Sequence, residues 1–477
     1  MAKRDNTQNT PTAGYSVTVQ VRIENKPGRF AGIVNFLAEQ DASLSDVSLL
    51  YSDYNYYIRE ITINCKSEEH LNFIVNKINS IKGVKLLSWK DEVFNKHLGG
   101  KIEVASKLTL KNNDDLARIY TPGVARVCQK IAQDTAAIFD YTIKSTTVAI
   151  VTDGSAVLGL GNIGPEAALP VMEGKAVLFK YFAGINAFPL CLSTTDKEKV
   201  VEIVKTLSTP FGGINLEDIS APNCFFIEEE LDKELPIPVF HDDQHGTAIV
   251  VLAGLINSCR LLGKELSQLK IVVNGFGAGG TACTKMLLKA GVQNIIACDS
   301  AGIVYKGRKE RMNPVKEELS KVTNPENIKG SLSDALKGAD VFIGVSRPKL
   351  VTPSMVKTMN SQPIVFALAN PEPEIRPEEI EGIAKITATG RSDYANQINN
   401  SLCFPGIFKG ALRCKAKSIT DSMKLSAAEA IASCISEENL HEKHIIPSMF
   451  TPGLVECVAD AVEKAWKDLE NPYKNDS

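Results

Sequence analysis

The chain has 477 residues, 44% of them hydrophobic and 23% charged, and its 53 basic against 56 acidic residues leave a formal net charge of −3. At about 100–200 residues per compact domain, this length implies two to four domains, each able to bury a core. The near-balance of charge excludes the basic field that nucleic acid or an anionic membrane surface would need.

The N-terminal residues MAKRDNTQNTPTAGY are polar and lack the apolar stretch of a secretory signal. Residues 1–14 read as a disordered tail. Further along, no continuous apolar run is read as long enough to span a bilayer. The 11 cysteines are scattered singly and none forms Cys-x-x-Cys. That distribution points to free thiols in a reducing compartment, so a cytoplasmic location is expected.

Residues 15–90 carry the order β-α-β-β-α-β of a ferredoxin-like unit. YSVTVQVRIE alternates like a strand, and RFAGIVNFLAEQ has apolar residues at helical spacing. Two strands follow in VSLLYSDYNYYIREITINC, then a helix in EEHLNFIVNKINSI and a last strand in GVKLLSWKDEV. The stretch VRIENKPGRFAGIVNFLAEQDASL, a strand leading through Pro-Gly into a helix, resembles the opening of an ACT domain. That resemblance implies a regulatory unit that senses a small molecule and works as a pair.

Residues 91–245 mix helices with apolar strands such as TVAIVTDG and NAFPLCL. From 246 to 407 the pattern becomes strand–helix repeats, with strands in KIVVNG, NIIACDS, ADVFIGVS, PIVFALAN and KITATG. A doubly wound parallel sheet of Rossmann type follows. The expected fold is therefore α/β: this sheet, an α/β substrate domain and the N-terminal ferredoxin-like unit. Residues 408–477 read as helices that pack back on the substrate domain.

The strand KIVVN runs into Gly275-Phe276-Gly277-Ala278-Gly279-Gly280 and then a helix. Gly275 permits the tight turn, Gly277 lets the backbone approach a pyrophosphate, and Gly280 allows close helix–strand packing. The helix start at Ala278 offers free N–H groups to the phosphates. A second strand ends at Asp299, where a ribose hydroxyl would be held. Asp299 favours NAD, yet Lys306, Arg308, Lys309 and Arg311 follow closely and offer charge to a 2′-phosphate, so NAD and NADP both remain open.

Seven segments in one order carry the remaining signal: 118–124 (RIYTPGV), 151–162 (VTDGSAVLGLGN), 173–176 (EGKA), 215–219 (NLEDI), 240–247 (FHDDQHGT), 369–371 (ANP) and 399–406 (NNSLCFPG). Glu217, Asp218 and Asp243 supply oxygen donors of the kind that Mg²⁺ and Mn²⁺ prefer, although on spacing alone Glu217-Asp218 reads as a solvated loop. Lys175 lies in a mostly apolar segment, where desolvation would bring its amine towards the range of a base. His241 and His245 stand at i, i+4, but no His-Glu-x-x-His is present and a histidine metal site is not expected.

Together the seven segments resemble the malic enzyme family, in its smaller bacterial-type branch. The resemblance implies oxidative decarboxylation of (S)-malate to pyruvate and CO₂ with reduction of NAD or NADP. It assigns a Mg²⁺ or Mn²⁺ ion to Glu217, Asp218 and Asp243; the adjacent Asp242 reads, apart from the resemblance, as a neighbour that could orient the site. Lys175 becomes the general base on the C2 hydroxyl and Tyr120 the acid that protonates C3. Asn370 and Asn400 match positions that contact the nicotinamide, its ribose or the substrate carboxylate. The arginine that grips the second carboxylate in many larger members is replaced by Ala156, which leaves Arg118 and Lys107 as candidates. The resemblance also implies a homodimer or higher oligomer, with Tyr120 and Lys175 acting within one subunit or across two. Two rival readings are a metal-independent amino-acid dehydrogenase and a non-catalytic sensor built on the ACT-like unit.

Overall fold

The computed structural model describes residues 10–157 and 159–470, so residues 1–9 of the expected tail and the last seven residues lie outside the described chain. Two compact units divide at Glu103 and Val104.

The first unit is a four-stranded antiparallel sheet of β1 (Thr12–Glu24), β2 (Ser43–Ser52), β3 (Tyr56–Cys65) and β4 (Val84–Asp91) in the order β2-β3-β1-β4. Alternation does the work here: Val17, Val19, Val21 and Ile23 of β1 are fully buried. They pack with Ile33 and Leu37 of the Arg29–Glu39 helix and Leu71 and Ile74 of the Glu68–Lys77 helix. Gly28 precedes the first helix at φ 83°, a left-handed conformation that costs glycine least. Ser67 caps the second by accepting from the His70 N–H.

Two expected boundaries shift. Thr12–Gly14 belong to β1, which therefore begins earlier than read: Thr12 pairs with Cys65, and the register shifts between Thr12 and Ser16. The unit also extends past residue 90, since Asp91 caps a further helix, Glu92–His97, that packs on β1 and β4.

The second unit holds two sheets. β5 (Thr147–Thr152), β6 (Asn186–Cys191), β7 (Gly213–Leu216) and β8 (Val239–His241) are parallel in the order β6-β5-β7-β8. Every residue of β5, β7 and β8 is buried, which is why these strands read as continuous apolar runs. The larger sheet comprises β9 (Lys270–Asn274), β10 (Asn294–Asp299), β11 (Gly302–Ile303), β12 (Val341–Gly344), β13 (Ile364–Ala367) and β14 (Ile386–Thr389). Its order is β11-β10-β9-β12-β13-β14, parallel except for the two-residue edge strand β11. The order reverses between β9 and β12, which opens a crevice at the carboxyl ends of the strands.

The expected cut at residue 245 falls inside a π-helical turn, Asp242–Gly246, that runs directly into the Thr247–Leu262 helix. That helix sits in a core shared by both sheets, with Ile150, Val273, Ile343 and Phe366 in the same cluster. The 21-residue stretch Asp242–Leu262 is long and apolar enough to cross a membrane, contrary to the expectation that no such run exists. Its apolar residues face protein: 67% of its apolar window is buried within the fold.

The C-terminal helices Phe404–Arg413, Asp421–Ser433 and Leu454–Glu470 complete this core. Phe179 meets Phe404 and Phe408 at centroid distances of 4.7 and 5.5 Å, and Phe408 meets Phe240 of β8 at 6.0 Å. Asn257 in the central helix donates to the carbonyls of Ala432 and Ile445 at 2.9 and 3.0 Å. Phe408→Ala would remove the ring that joins the C-terminal helices to the β5–β8 sheet. Chemical denaturation should show a loss of about 3–5 kcal/mol in unfolding free energy, and a loss below ~1 kcal/mol would refute the role given to the ring.

Candidate metal and dinucleotide site

The polar residues collect at the carboxyl ends of the strands. Asn215 lies in β7, and Glu217 and Asp218 follow that strand directly; Asp242 and Asp243 follow β8 in the π-helical turn. Lys175 reaches them from the Pro165–Leu178 helix.

Lys175 is 7% exposed, Glu217 and Asp218 are each 4% exposed, and Asp242 is fully buried. The Lys175 Nζ donates to Glu217 Oε2 at 2.5 Å and to Asp242 Oδ2. It also lies 4.5 Å from the centre of the Phe404 ring. Asn215 Nδ2 also donates to Glu217 Oε2, at 3.0 Å. Asp218 occupies a left-handed backbone conformation at φ 52°; its N–H donates to Asp243 Oδ2 at 2.8 Å and its carbonyl accepts from the Ala156 N–H at 2.9 Å. Ser155 Oγ accepts from the Ser220 N–H at 2.9 Å and donates to Asp153 Oδ1 at 2.6 Å, so the second motif braces the Glu217–Ser220 loop.

One oxygen from each of Glu217, Asp218 and Asp243 falls within 4.8 Å of the others. With Asp242, four carboxylates stand against the single ammonium of Lys175. Burial pushes the carboxyls of Glu217 and Asp243 up, and that of Asp242 up to about 7. An excess of buried negative charge carried on hard oxygen donors is the environment that suits a Mg²⁺ or Mn²⁺ ion. The donor set therefore fits the ion.

The Lys175 amine departs from expectation. Burial alone would lower its pKa, but the charges of Asp242, Glu217 and Asp243 outweigh burial and raise it. The apolar sequence around Lys175 describes its own helix, not the carboxylates brought in by β7 and β8.

Tyr120 follows the Asn113–Ile119 helix and is 67% exposed. It is not among the groups described around Lys175. Arg118, a candidate for the second carboxylate, pairs with Asp115 at 3.1 Å on an exposed surface, and Lys107 is exposed. His241 is fully buried, with its pKa brought down to about 4 chiefly by burial; His245 Nε2 lies 2.9 Å from Glu228. Neither histidine belongs to the three-carboxylate cluster.

The glycine loop follows β9. Gly275 has φ 107°, and a Cβ there would stand 2.5 Å from the Val345 carbonyl oxygen. At Gly280 a Cβ would stand 2.3 Å from the Gly275 carbonyl oxygen, whereas around Gly277 nothing lies within 4 Å. The turn is thus closed on its protein side and open where a pyrophosphate would lie. Ala278 begins the helix that runs to Lys289. A Cβ at Gly279 would lie 3.3 Å from the Asp243 carbonyl oxygen, so the glycine loop abuts the acidic turn.

Asn370 is exposed after β13, and a Cβ on Gly159 of the second motif would lie 2.3 Å from its carbonyl oxygen. Asn400 backs the acidic turn: a Cβ on Gly246 would meet its Cβ at 3.0 Å. Asp299 is held by Arg308 through two bonds of 2.8 and 2.5 Å and by Lys316 at 2.6 Å. Burial would raise the Asp299 carboxyl, but these two cations bring it down to about 2. Arg311 donates to the neighbouring Ser300 hydroxyl. Lys316 was not anticipated from the sequence: it lies 17 residues beyond Asp299, in the first turn of the Pro314–Leu319 helix.

Three family profiles match the chain: an ACT domain over residues 11–86, the N-terminal domain of malic enzyme over 99–200, and the NAD-binding domain of malic enzyme over 244–462. An NAD-dependent malic enzyme of Geobacillus stearothermophilus is 51% identical over 95% of this chain and 95% of its own length. A bifunctional malic/malolactic enzyme of Bacillus subtilis is 54% identical over 80% of this chain and 93% of its own. The crystal structure of an NAD-dependent malic enzyme from Thermotoga maritima is similar at a TM-score of 0.76 and 49% identity, covering 78% of this chain and 99% of that one. The chain belongs to the malic enzyme family. It carries an ACT domain ahead of the two malic enzyme domains, and both rival readings are set aside.

Proposed function

We propose that the protein oxidises and decarboxylates (S)-malate to pyruvate and CO₂ while reducing a nicotinamide dinucleotide. The observation that carries this reading is the buried cluster of Lys175 with Glu217, Asp242 and Asp243, set against the glycine loop. Glu217, Asp218 and Asp243 would hold the divalent ion. Bound there, Mg²⁺ or Mn²⁺ would supply a Lewis acid for the C2 oxygen of a 2-hydroxy acid and cancel the carboxylate charge that keeps the proton on Lys175.

Lys175 Nζ then takes the C2 hydroxyl proton as the C2–H bond yields its hydride. Asp242 keeps the amine aimed at that atom. Asn370 and Asn400 orient the nicotinamide end and the substrate carboxylate. After CO₂ leaves, the Tyr120 hydroxyl delivers a proton to C3. The main chain at Gly275–Gly280 and the helix start at Ala278 hold the pyrophosphate. The ACT domain is the seat of a small-molecule effector. The enzyme works in the cytoplasm, where its 11 unpaired cysteines stay reduced.

With L-malate, Mn²⁺ and NAD or NADP in parallel, absorbance at the reduced-nicotinamide band should rise, pyruvate should accumulate, and chelator should stop both. Lys175→Ala should lower kcat by about 10²–10⁴-fold, the usual contribution of a proton-transfer group, and full turnover by this variant would refute the assignment.

NAD is the preferred cofactor, because the Asp299 carboxylate is the acceptor presented at the end of β10 and opposes a 2′-phosphate. Arg308 and Lys316 are committed to that carboxylate. Asp299→Ala would free both cations, and the NADP-to-NAD ratio of kcat/KM should rise about tenfold or more, the worth of one charge-assisted hydrogen bond. An unchanged ratio would place the 2′ position elsewhere.

The working form is a dimer. The Asn113–Ile119 and Val124–Gln133 helices bury none of their residues, and Leu116, Ile119 and Tyr120 are 46%, 42% and 67% exposed. A second copy covering this apolar face would bring Tyr120 to a neighbouring Lys175. Sedimentation at assay concentration should give twice the chain mass, and a monomer with full activity would overturn this arrangement.

A further inference from the structure

The acidic turn is an unusual piece of backbone. π-Helical turns are rare and intrinsically less favourable than α-helix, so something outside the turn must hold it. Glycine is one requirement: a Cβ on Gly246 would collide with Asp242 Oδ1 at 1.9 Å. The other comes from the Asn223–Glu234 helix, which packs against β8.

Glu228 of that helix reaches the turn with both oxygens. Its Oε1 accepts from the His241 backbone N–H at 2.9 Å and faces His245 Nε2 at 2.9 Å. Its Oε2 accepts from Gln244 Nε2 at 3.0 Å. One side chain thus grips residue 241 at the entry and residues 244 and 245 towards the exit. Between those grips lie Asp242, which meets Lys175, and Asp243, which accepts from the Asp218 N–H. The Glu228 side chain is only 14% exposed. Burial would push its carboxyl up, but the His245 ring and the Lys424 ammonium outweigh this and bring it down to about 2.

We propose that Glu228 is a positioning residue for the metal centre, one that sets the directions of Asp242 and Asp243 by clamping both ends of the turn that carries them. The proposal rests on the reading of Asp243 as a metal ligand. Two N–H donors and the His245 ring nitrogen converge on this carboxylate. An amide of the same size has one acceptor oxygen, so Gln at 228 would turn its own NH₂ against one of them and let part of the turn relax. The sequence hides this role, since Glu228 opens the run Glu228-Glu229-Glu230 on an otherwise ordinary helix.

The test is direct Mn²⁺ binding to the full chain, followed by the electron spin resonance of the free ion, with NADH binding followed by fluorescence. Glu228→Gln should raise the Mn²⁺ Kd about 10–100-fold, the usual effect of losing a partner behind a metal ligand, and leave the NADH Kd unchanged. Glu229→Gln, on the exposed side of the same helix, should bind both as the parent does. Asp243→Asn should lose Mn²⁺ binding more severely than Glu228→Gln. Parent-like Mn²⁺ affinity in Glu228→Gln, beside a weakened Asp243→Asn, overturns the proposal alone. Parent-like affinity in Asp243→Asn overturns the ligand reading beneath it. Loss of NADH binding together with Mn²⁺ binding in Glu228→Gln marks a global defect and also overturns the positioning role. If Glu228→Gln does not fold, Gln244→Leu removes one arm of the clamp: a severalfold rise in the Mn²⁺ Kd supports the proposal and no change refutes it.

Discussion

The ammonium of Lys175, held between Glu217 and Asp242 beneath the Phe404 ring, is the contact on which the middle of this protein depends. An unpaired charge buried at this depth would cost several kcal/mol, so neither the lysine nor the carboxylates could stay ionised there alone. The pairing is nevertheless incomplete. Four carboxylates face one ammonium, and the unmatched charge raises the Lys175 pKa while burial raises those of Glu217, Asp242 and Asp243. Such a centre holds more carboxylates than cations, and that excess is relieved by protons on the carboxyls or by a further cation. The same imbalance that keeps the proton on Lys175 gathers carboxylate oxygens of the kind a divalent cation prefers.

The elements that build this centre differ in how readily their sequences disclose them. The parallel strands β9, β10, β12, β13 and β14 are buried apolar runs separated by helices, and the glycine loop marks where the first one ends. The alternation in β1 likewise discloses a half-buried antiparallel sheet. Strand β11 has two residues and is defined only by pairing with the end of β10, so no periodicity announces it. The Thr247–Leu262 helix is apolar over most of its surface because it lies in a core shared by residues of both sheets, and its sequence alone cannot say to which sheet it belongs.

The site follows the same logic. Acidic and glycine-rich segments are visible as motifs, but the contacts that tune them span long separations. Lys175 lies 42 residues from Glu217 and 67 from Asp242, so its apolar neighbours in sequence point to a lowered pKa while its neighbours in space raise it. Asp299 shows the reverse relation. Its position at the end of the second strand is legible, yet its capture by Arg308 and Lys316 depends on how the chain folds back after β11.

What unites the two sheets chemically is the shared use of strand ends. Glu217 and Asp243 follow β7 and β8, the glycine loop follows β9, and Asn370 follows β13. The Thr247–Leu262 helix begins at the acidic turn and runs through the common core, so the two sets of strand ends cannot drift apart without disturbing that core. Where they meet, the Asp243 carbonyl comes so near Gly279 that even a methyl group there would lie 3.3 Å away. A longer side chain at 279 would wedge the dinucleotide loop from the acidic turn. In the proposed reaction, where hydride passes between atoms about 3–3.5 Å apart, the absence of a side chain at this one position would bear on the alignment. The glycine signature therefore meets two surroundings at once: a Cβ at Gly277 would find nothing within 4 Å, whereas Gly279 lies against the acidic turn.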